Sequence, residues 1–191
     1  MPGSWHPDGR LLAFEQQNPE TSSDVMILRL DGDEASGWKP GTPTVLLNSA
    51  AVEREPMFSP DGRWLAYVSD APGRGEVFVR PFPQDGPAVQ ISTGGGCTPT
   101  WSRKSEEIFY GSNAQIMVVS YALERNSFRA GNPRLWSEAG YQPRGPNRMF
   151  DLHPDGVRFV LAPATKPPDD HVIFVFHFFE QLRRIAPSTR P

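Results

Sequence analysis

The residues with the clearest chemical potential are three aspartates in one recurring motif. Asp8, Asp61 and Asp155 each follow a proline and precede a glycine. Carboxylates are ligands that Ca²⁺ prefers, but these three stand in separate parts of the chain, without a second acid at short spacing. An aspartate between proline and glycine instead bonds its own backbone in a tight turn. We therefore predict turn-forming aspartates and no metal site.

The four histidines and the single cysteine do not complete a metal or nucleophilic site. His6 and His153 precede the proline of the same motif, which predicts a structural role beside a turn. His171 and His177 lie roughly 20 Å apart along an extended strand, too far to share one metal ion. Cys97 has no neighbouring base in the sequence, so we expect a small, partly buried thiol.

Motifs for catalysis and cofactor binding are missing from the sequence. It contains no Gly-x-Ser-x-Gly nucleophile elbow, no Gly-x-x-x-x-Gly-Lys phosphate loop and no kinase signature. The glycine-rich stretch 93–96 lies between two predicted strands, which favours a turn over a phosphate cradle. We predict no catalytic residue and no cofactor; any enzyme activity would belong to a missing parent domain.

The Pro-Asp-Gly motif belongs to a repeat that organises the chain. Trp5–Phe14 aligns with Phe58–Tyr67, Trp101–Tyr110 and Leu152–Leu161. The period is about fifty residues, close to that of propeller blades. Proline fixes φ and glycine accepts positive φ, so each copy predicts a β-hairpin turn. Ser105 replaces the glycine in the third copy, which predicts a relaxed or strained turn.

Each hairpin is followed by further strand-like segments. Nearly continuous apolar runs stand at Val25–Leu30, Glu76–Arg80, Ile116–Tyr121 and Val172–Phe176. Shorter segments follow the first three at Val45–Leu47, Val89–Ser92 and Arg134–Trp136. A continuous apolar run indicates a strand covered on both faces, and 21 prolines and 17 glycines among 191 residues fit many short strands. The predicted fold class is all-β: a β-propeller of four-stranded antiparallel blades, with about four blades present.

The repeat resembles a known family. The pattern Trp/Phe-Ser-Pro-Asp-Gly-Arg-x-Leu-Ala-Tyr resembles the WD40-like (PD40) β-propeller of TolB-type proteins. The stretch from Phe58 to Pro83 looks most similar to the C-terminal propellers of some bacterial serine/threonine protein kinases. The resemblance covers essentially the whole chain and implies the propeller fold, and related blades also occur in prolyl-oligopeptidase-like enzymes.

The blades are predicted at approximately 1–48, 49–92, 93–138 and 139–177, with a short C-terminal helix and tail at 178–191. Phe178, Leu182 and Ile185 lie at helical spacing, and Pro187 ends the helix. Since such propellers usually have six or more blades, we expect part of a larger propeller or a truncated product; a closed four-bladed ring is the alternative. An open fragment would expose blade faces, which self-association could cover.

Charge and hydropathy restrict the partners. The net charge is −3 without a basic cluster, which argues against a nucleic-acid partner. The longest apolar stretch, Val172–Phe179, is too short for direct membrane insertion. No signal peptide precedes the first repeat, so the chain expressed alone would stay in the cytoplasm. As part of a larger membrane-anchored protein it would be periplasmic or extracytoplasmic, and the sequence leaves this open.

Binding residues are expected on one face of the blades. The loops that join the fourth strand to the next blade, and the second strand to the third, emerge opposite the Pro-Asp-Gly turns, and loops on a rigid scaffold carry function. Tyrosine and arginine are favoured at interface hot spots. The candidate contact residues on this face are Arg54, Arg74, Tyr141, Arg144 and Arg148.

The sequence thus predicts a non-catalytic module that binds a protein or peptide. The kinase resemblance implies the sensor or interaction part of a bacterial receptor-type kinase. Two alternatives are a propeller domain associated with a prolyl-oligopeptidase-like hydrolase and a stand-alone TolB-like periplasmic binding protein.

Overall fold

The computed structural model consists of antiparallel β-strands joined by turns and loops. It describes residues 1–124, 127–137, 140–141, 148 and 150–161, and no helix occurs among them. The first eight strands are β1 Pro2–Trp5, β2 Leu11–Asn18, β3 Ser22–Asp31, β4 Lys39–Pro40, β5 Thr44–Leu47, β6 Glu53–Phe58, β7 Trp64–Ser69 and β8 Glu76–Pro81. The remaining strands are β9 Val89–Gln90, β10 Cys97–Trp101, β11 Glu107–Ser112, β12 Gln115–Glu124, β13 Ser127–Ala130, β14 Arg134–Ser137, β15 Phe150–Leu152 and β16 Phe159–Leu161.

These strands form four sheets in chain order. The first sheet has the order β1-β2-β3-β4, with β5 also paired to β3, and the second has the order β6-β7-β8-β9. The third has the order β10-β11-β12-β13, with β14 also paired to β12, and β15 pairs with β16 in the fourth. The predicted all-β class with antiparallel sheets is confirmed. The number of blades, their limits and the closure of a ring stay predictions.

The predicted strand segments overlap observed strands wherever the chain is described, although only Val89–Gln90 of the predicted segment Val89–Ser92 forms a strand. Val25–Leu30 lies within β3, Glu76–Arg80 within β8 and Ile116–Tyr121 within β12. The predicted strand at Val172–Phe176 and the predicted C-terminal helix lie outside the described residues.

The repeated hairpin turns have the predicted geometry in three copies. Gly9, Gly62 and Gly156 have φ of 73°, 72° and 76°. Each glycine N–H donates to the carbonyl three residues earlier, at 2.9 Å in every copy. The aspartate before each glycine accepts a backbone N–H two residues further on, which confirms its turn-forming role. Positive φ is left-handed backbone that glycine adopts without steric cost.

The third turn relaxes instead of copying this left-handed conformation. Ser105 does not adopt positive φ. Its N–H donates to Ser102 Oγ at 3.1 Å rather than to the carbonyl of that residue. A side-chain acceptor thus replaces the backbone acceptor, and serine avoids the left-handed region.

The histidines beside the turns have the predicted structural role. His6 Nδ1 accepts the N–H of Asp8 at 3.3 Å, and His153 Nδ1 accepts that of Asp155 at 3.2 Å. The His6 ring also stands edge-on to Phe58, with centroids 5.0 Å apart. His6 therefore joins the first turn to the core of the second sheet.

Hydrophobic side chains fill the space between successive sheets. The core between the first and second sheets contains Ala13, Val25, Ile27, Phe58, Leu65 and Phe82. The core between the second and third includes Trp64, Ala66, Val68, Val77, Val79, Trp101 and Ile108. The core between the third and fourth contains Phe109, Ile116, Val118, Tyr141 and Phe150. A sheet between two neighbours is buried on both faces, which explains the continuous apolar runs.

Candidate functional site

The leading strands of the sheets, β1, β6 and β10, contact one another in sequence. Hydrogen bonds cross between the sheets along this row. The N–H of Phe58 donates to Ser4 Oγ at 2.8 Å, and Trp101 Nε1 donates to the carbonyl of Met57 at 2.9 Å. These partly buried hydrogen bonds between sheets fix their relative position, so this row is a rigid base for a site.

Each leading strand contains a β-bulge, which changes the direction of its backbone N–H and C=O groups. The pairing register shifts between Arg54 and Met57 in β6, and between Cys97 and Thr100 in β10. Within these bulges Glu55 has φ of 55° and Thr98 has φ of 51°. Non-glycine residues in the left-handed region are uncommon and concentrate where surrounding contacts hold them.

The bulges connect carboxylates across the sheets. The N–H of Glu55 donates to Glu15 Oε1 at 2.9 Å, and the N–H of Thr98 donates to Glu55 Oε2. The same bulge position in β6 and in β10 therefore binds a carboxylate of the preceding sheet. These charge-assisted bonds offset the cost of the two backbone conformations.

An open cleft of about 250 Å³ lies beside these bulges. Its lining includes Gly3, Glu15, Glu55, Pro56, Thr98 and Arg148. The Arg148 guanidinium donates to Thr100 Oγ1 at 2.7 Å, which holds it beside β10. The cleft thus combines two carboxylates and one guanidinium beside the rigid row of leading strands.

The arrangement shifts the pKa of Glu55 upward. Burial raises the pKa of its carboxyl, the N–H of Thr98 and the Arg54 guanidinium lower it, and the neighbouring Glu15 carboxylate raises it. A carboxylate held partly out of water, with another carboxylate nearby, favours a cationic or hydrogen-bond-donating ligand.

Of the five predicted contact residues, two lie near Glu55. Arg148 lines the cleft, and Arg54 Nε lies 3.9 Å from Glu55 Oε1. Arg74, in the loop between β7 and β8, instead pairs with Glu76, with Nε 2.9 Å from Oε1. Arg144 lies outside the described residues.

Tyr141 differs from the expectation of an exposed contact. It is only 2% exposed, and its hydroxyl lies 3.6 Å from Cys97 Sγ. Burial raises its pKa. Its ring belongs to the core between the third and fourth sheets, and the N–H of Tyr141 donates to the carbonyl of Ala114. Cys97 is partly buried, as predicted.

The sequence reasoning did not select Glu15, Glu55 or Thr98. Glu55 precedes Pro56, and a residue before proline favours extended backbone over the conformation observed here. The sequence does hold one signal for these residues, their equivalent position in the repeat. Glu55 and Thr98 each stand three residues before a motif aromatic, Phe58 and Trp101.

The glycine-rich stretch after β9 binds a carboxylate of the same chain. The N–H groups of Gly94 and Gly95 both donate to Glu76 Oε1 at 2.9 Å, and Ser92 Oγ donates to Oε2. Burial alone would raise the pKa of Glu76, but these hydrogen bonds lower it below its ordinary value. The stretch connects β9 to β10, which confirms the predicted turn.

Comparisons with known proteins were made by family, by sequence and by structure. No family model matches the chain. The chain is 28% identical over 144 residues to Tricorn protease homolog 1 of Streptomyces coelicolor, which covers 74% of this chain and 12% of that protein. The solved structure of TolB from Acinetobacter baumannii aligns with a TM-score of 0.52 and 17% identity, covering 78% of this chain and 34% of that one.

A protein assigned as a TolB of Agrobacterium tumefaciens aligns with a TM-score of 0.47 and 16% identity, covering 70% of this chain and 49% of that one. The chain therefore spans about half or less of the proteins it matches. The likeness to the Acinetobacter structure shows the fold, that of a TolB-type β-propeller. The resemblance to kinase propellers is not confirmed. Among the described residues, no helix is long and apolar enough to cross a membrane.

Proposed function

We propose that this chain is a non-catalytic propeller module that binds a peptide or a segment of another protein at the cleft beside Glu55. The observation that carries the proposal is the cleft itself, in which Glu15 of β2, Glu55 of β6 and Arg148 present opposite charges beside the leading strands. These strands are fixed by hydrogen bonds between sheets, so a ligand meets a preorganised surface.

The size and lining of the cleft favour a peptide over a large cofactor. At about 250 Å³ it falls below the roughly 300 Å³ at which pockets for drug-sized ligands begin. Its lining combines proline, glycine and charged residues, which suits one or two side chains of an extended segment. The two carboxylates favour a basic side chain, and Arg148 favours an acidic group next to it.

A random peptide library displayed on phage and selected on the immobilised full chain tests this proposal. We expect enriched peptides whose affinity falls about tenfold with Arg148→Ala, because a charge-assisted hydrogen bond is lost. Arg63→Ala is the matched control, since this exposed arginine lies on a Pro-Asp-Gly turn and should leave affinity unchanged. Failure to enrich any peptide, or equal losses with both variants, would contradict the proposal.

The stand-alone TolB-like role and the kinase-linked role are not equally well supported. The stand-alone TolB-like role fits the solved structures that share the fold, whereas the kinase-linked role gains nothing from them.

The match to the Tricorn protease homolog favours a second candidate, a propeller domain that works beside a hydrolase. Incubating the selected peptides with the purified chain, followed by mass spectrometry, tests whether the chain itself is catalytic. Intact peptides agree with a non-catalytic module, and cleavage that depends on the chain would overturn it.

A further inference from the structure

A second cleft, which we call the joint cleft, opens between the first and second sheets. Its volume is about 490 Å³, within the roughly 300 to 1,000 Å³ typical of ligand pockets. Among the described residues, none lines both this cleft and the one beside Glu55. Its two charged lining residues, Arg29 and Asp31, pair with each other at 2.8 Å. The apolar lining residues include Leu11, Ile27, Val45, Leu46 and Phe82.

The next joint, between the second and third sheets, shows what fills the equivalent space. Leu11 aligns with Trp64 in the repeat. Phe82 corresponds to Tyr121, because the N–H of each donates to the carbonyl of the residue after the glycine position of its own hairpin turn. At the second joint the Phe128 ring packs against Trp64 and Tyr121, with centroid distances of 5.2 and 4.9 Å, and Phe128 is only 6% exposed. An aromatic ring therefore fills at that joint the space that is open at the first.

Phe128 belongs to a hairpin strand that the second sheet lacks. Strand β13 pairs with the end of β12 and contacts β9 of the second sheet. The joint cleft borders β5, which pairs with β3 as β9 pairs with β8. In the second sheet the connection 82–88, described in full, contains no strand. The joint cleft is open for this reason, and both of its walls lie inside the described part of the chain.

The hairpin strands of the first and third sheets share a sequence pattern. Strand β4 pairs with the end of β3 as β13 pairs with the end of β12. The aligned segments are Trp38-Lys39-Pro40-Gly41 and Phe128-Arg129-Ala130-Gly131. In both, an aromatic residue is followed by a basic one. An extended segment of this kind is therefore the chemistry that the joint cleft fits.

The charges beside the cleft suit the basic residue of such a segment. In the third sheet Arg129, which follows Phe128, pairs with Glu124. Asp85 stands three residues after Phe82, the position that corresponds to Glu124 in the third sheet. Its side chain is fully exposed, with Oδ1 bound by Arg80 at 2.7 Å. A cation next to the bound ring would meet this carboxylate.

We propose that the joint cleft binds an extended segment of another protein in which an aromatic residue is followed by a basic one. The aromatic ring packs on Leu11 and Phe82, and the basic side chain lies beside Asp85. Burial of the ring against apolar side chains supplies most of the affinity, and the carboxylate adds selectivity. This site is separate from the cleft beside Glu55 and does not depend on it.

NMR of the full chain, labelled with ¹³C at the methyl groups of isoleucine, leucine and valine, tests the proposal. The ligand is the peptide acetyl-Ser-Phe-Arg-Ala-Gly-amide, which copies Ser127–Gly131. We expect saturable shifts at the methyl groups of Leu11, Ile27, Val45 and Leu46. The Kd should be on the order of 1 mM, because so short a peptide buries little more than one ring. No shift at these methyl groups would overturn the proposal.

Two altered peptides test the ring and the charge on the unaltered chain. With alanine in place of phenylalanine, we expect no shift at the four residues. With glutamate in place of arginine, binding should weaken about threefold, as for an exposed ion pair. Equal binding of the alanine peptide would overturn the proposal, and equal binding of the glutamate peptide would contradict the role of Asp85.

Leu11→Trp tests the location by reproducing the wall of the next joint. Trp64 stands at the equivalent position, so this variant should fold as the wild type does by circular dichroism. It adds an aromatic pair like that between Trp64 and Phe128, which predicts binding tightened about threefold to tenfold. Unchanged affinity would contradict the proposed location.

Two further variants serve as controls. Leu135→Trp makes the same replacement on β14 at a residue that is 42% exposed and does not line the cleft, so the affinity should stay that of the wild type. Arg148→Ala alters the cleft beside Glu55 and should also leave this binding unchanged. A gain with Leu135→Trp equal to that with Leu11→Trp, or a loss with Arg148→Ala, would place the peptide elsewhere and overturn the proposal.

Discussion

The first and second sheets carry the same hairpin motif in different surroundings. Gly9 and Gly62 have nearly the same φ, 73° and 72°, so the two turns share one backbone conformation. Around them the sheets differ. A Cβ on Gly9 would meet nothing within 4 Å, whereas a Cβ on Gly62 would lie 2.2 Å from His6 Nε2. The sequence of a turn sets its conformation, and the neighbouring sheet sets what a substitution there costs.

The motif aromatics show the same contrast. Phe58 is buried, with its ring 4.8 Å from Phe82 and 5.0 Å from His6. Trp5, at the equivalent position, is more than half exposed. The second sheet has a neighbour on both sides. An aromatic residue at the same motif position therefore contributes very differently to stability in the two sheets.

The largest expected difference is between Phe58→Ala and Trp5→Ala. Removing the buried ring should lower the free energy of unfolding by about 3–5 kcal/mol, from lost burial and a cavity. Removing the exposed one should cost less than about 1 kcal/mol. Urea unfolding measures both. Similar losses would show that the first sheet is covered as fully as the second.

A smaller effect is expected at two buried carboxylates in the third strands of the first two sheets, Asp24 in β3 and Glu76 in β8. Glu76 accepts two backbone N–H groups and the Ser92 hydroxyl, whereas Asp24 accepts only from the side chains of Asn18 and Thr21. Glu76→Gln should cost about 2 kcal/mol, because a charged acceptor of fixed amides is lost. Asp24→Asn should cost less, since its donors can rotate. Thermal unfolding at neutral pH measures the order.

The pH dependence gives the sign of the Glu76 effect. Its pKa is lower in the folded chain than the ordinary value of 4.5, so the unfolded chain binds the proton more readily. The stabilisation is therefore present above pH 4.5 and is lost as pH falls through the folded pKa. Glu76→Gln should lose less stability than the wild type on acidification from about pH 7 to pH 3. A parallel loss in both proteins would contradict this origin.

The smallest expected effect is the difference in stability between Gly9→Ala and Gly62→Ala. Both Gly9→Ala and Gly62→Ala place a Cβ in the left-handed region, at about 1 kcal/mol each. Gly62→Ala should cost about 1 kcal/mol more, because the His6 ring must move. Combining it with His6→Ala isolates this coupling in a double-mutant cycle by thermal unfolding. Equal costs for the two glycine variants would show that the His6 ring moves aside without a measurable cost in stability.

Much of the fold could be predicted from the repeat, while the cleft could not. The hairpin turns, the strands and the roles of the three aspartates follow from residues close in sequence. Glu55 and Thr98 adopt positive φ because carboxylates and amides of different sheets meet there, and local preference opposes this conformation. Tyr141 was expected on a loop surface, yet a contact with Ala114 turns it into the core.

The sequence by itself determined the period, the turns and the alternation of faces, because proline, glycine and apolar spacing act over a few residues. The tertiary structure decided which equivalent positions are buried, which carboxylates meet, and where a cleft remains. Those outcomes depend on contacts between sheets about fifty residues apart in the chain, where the same motif residue gains a neighbour in one sheet and none among the described residues in another.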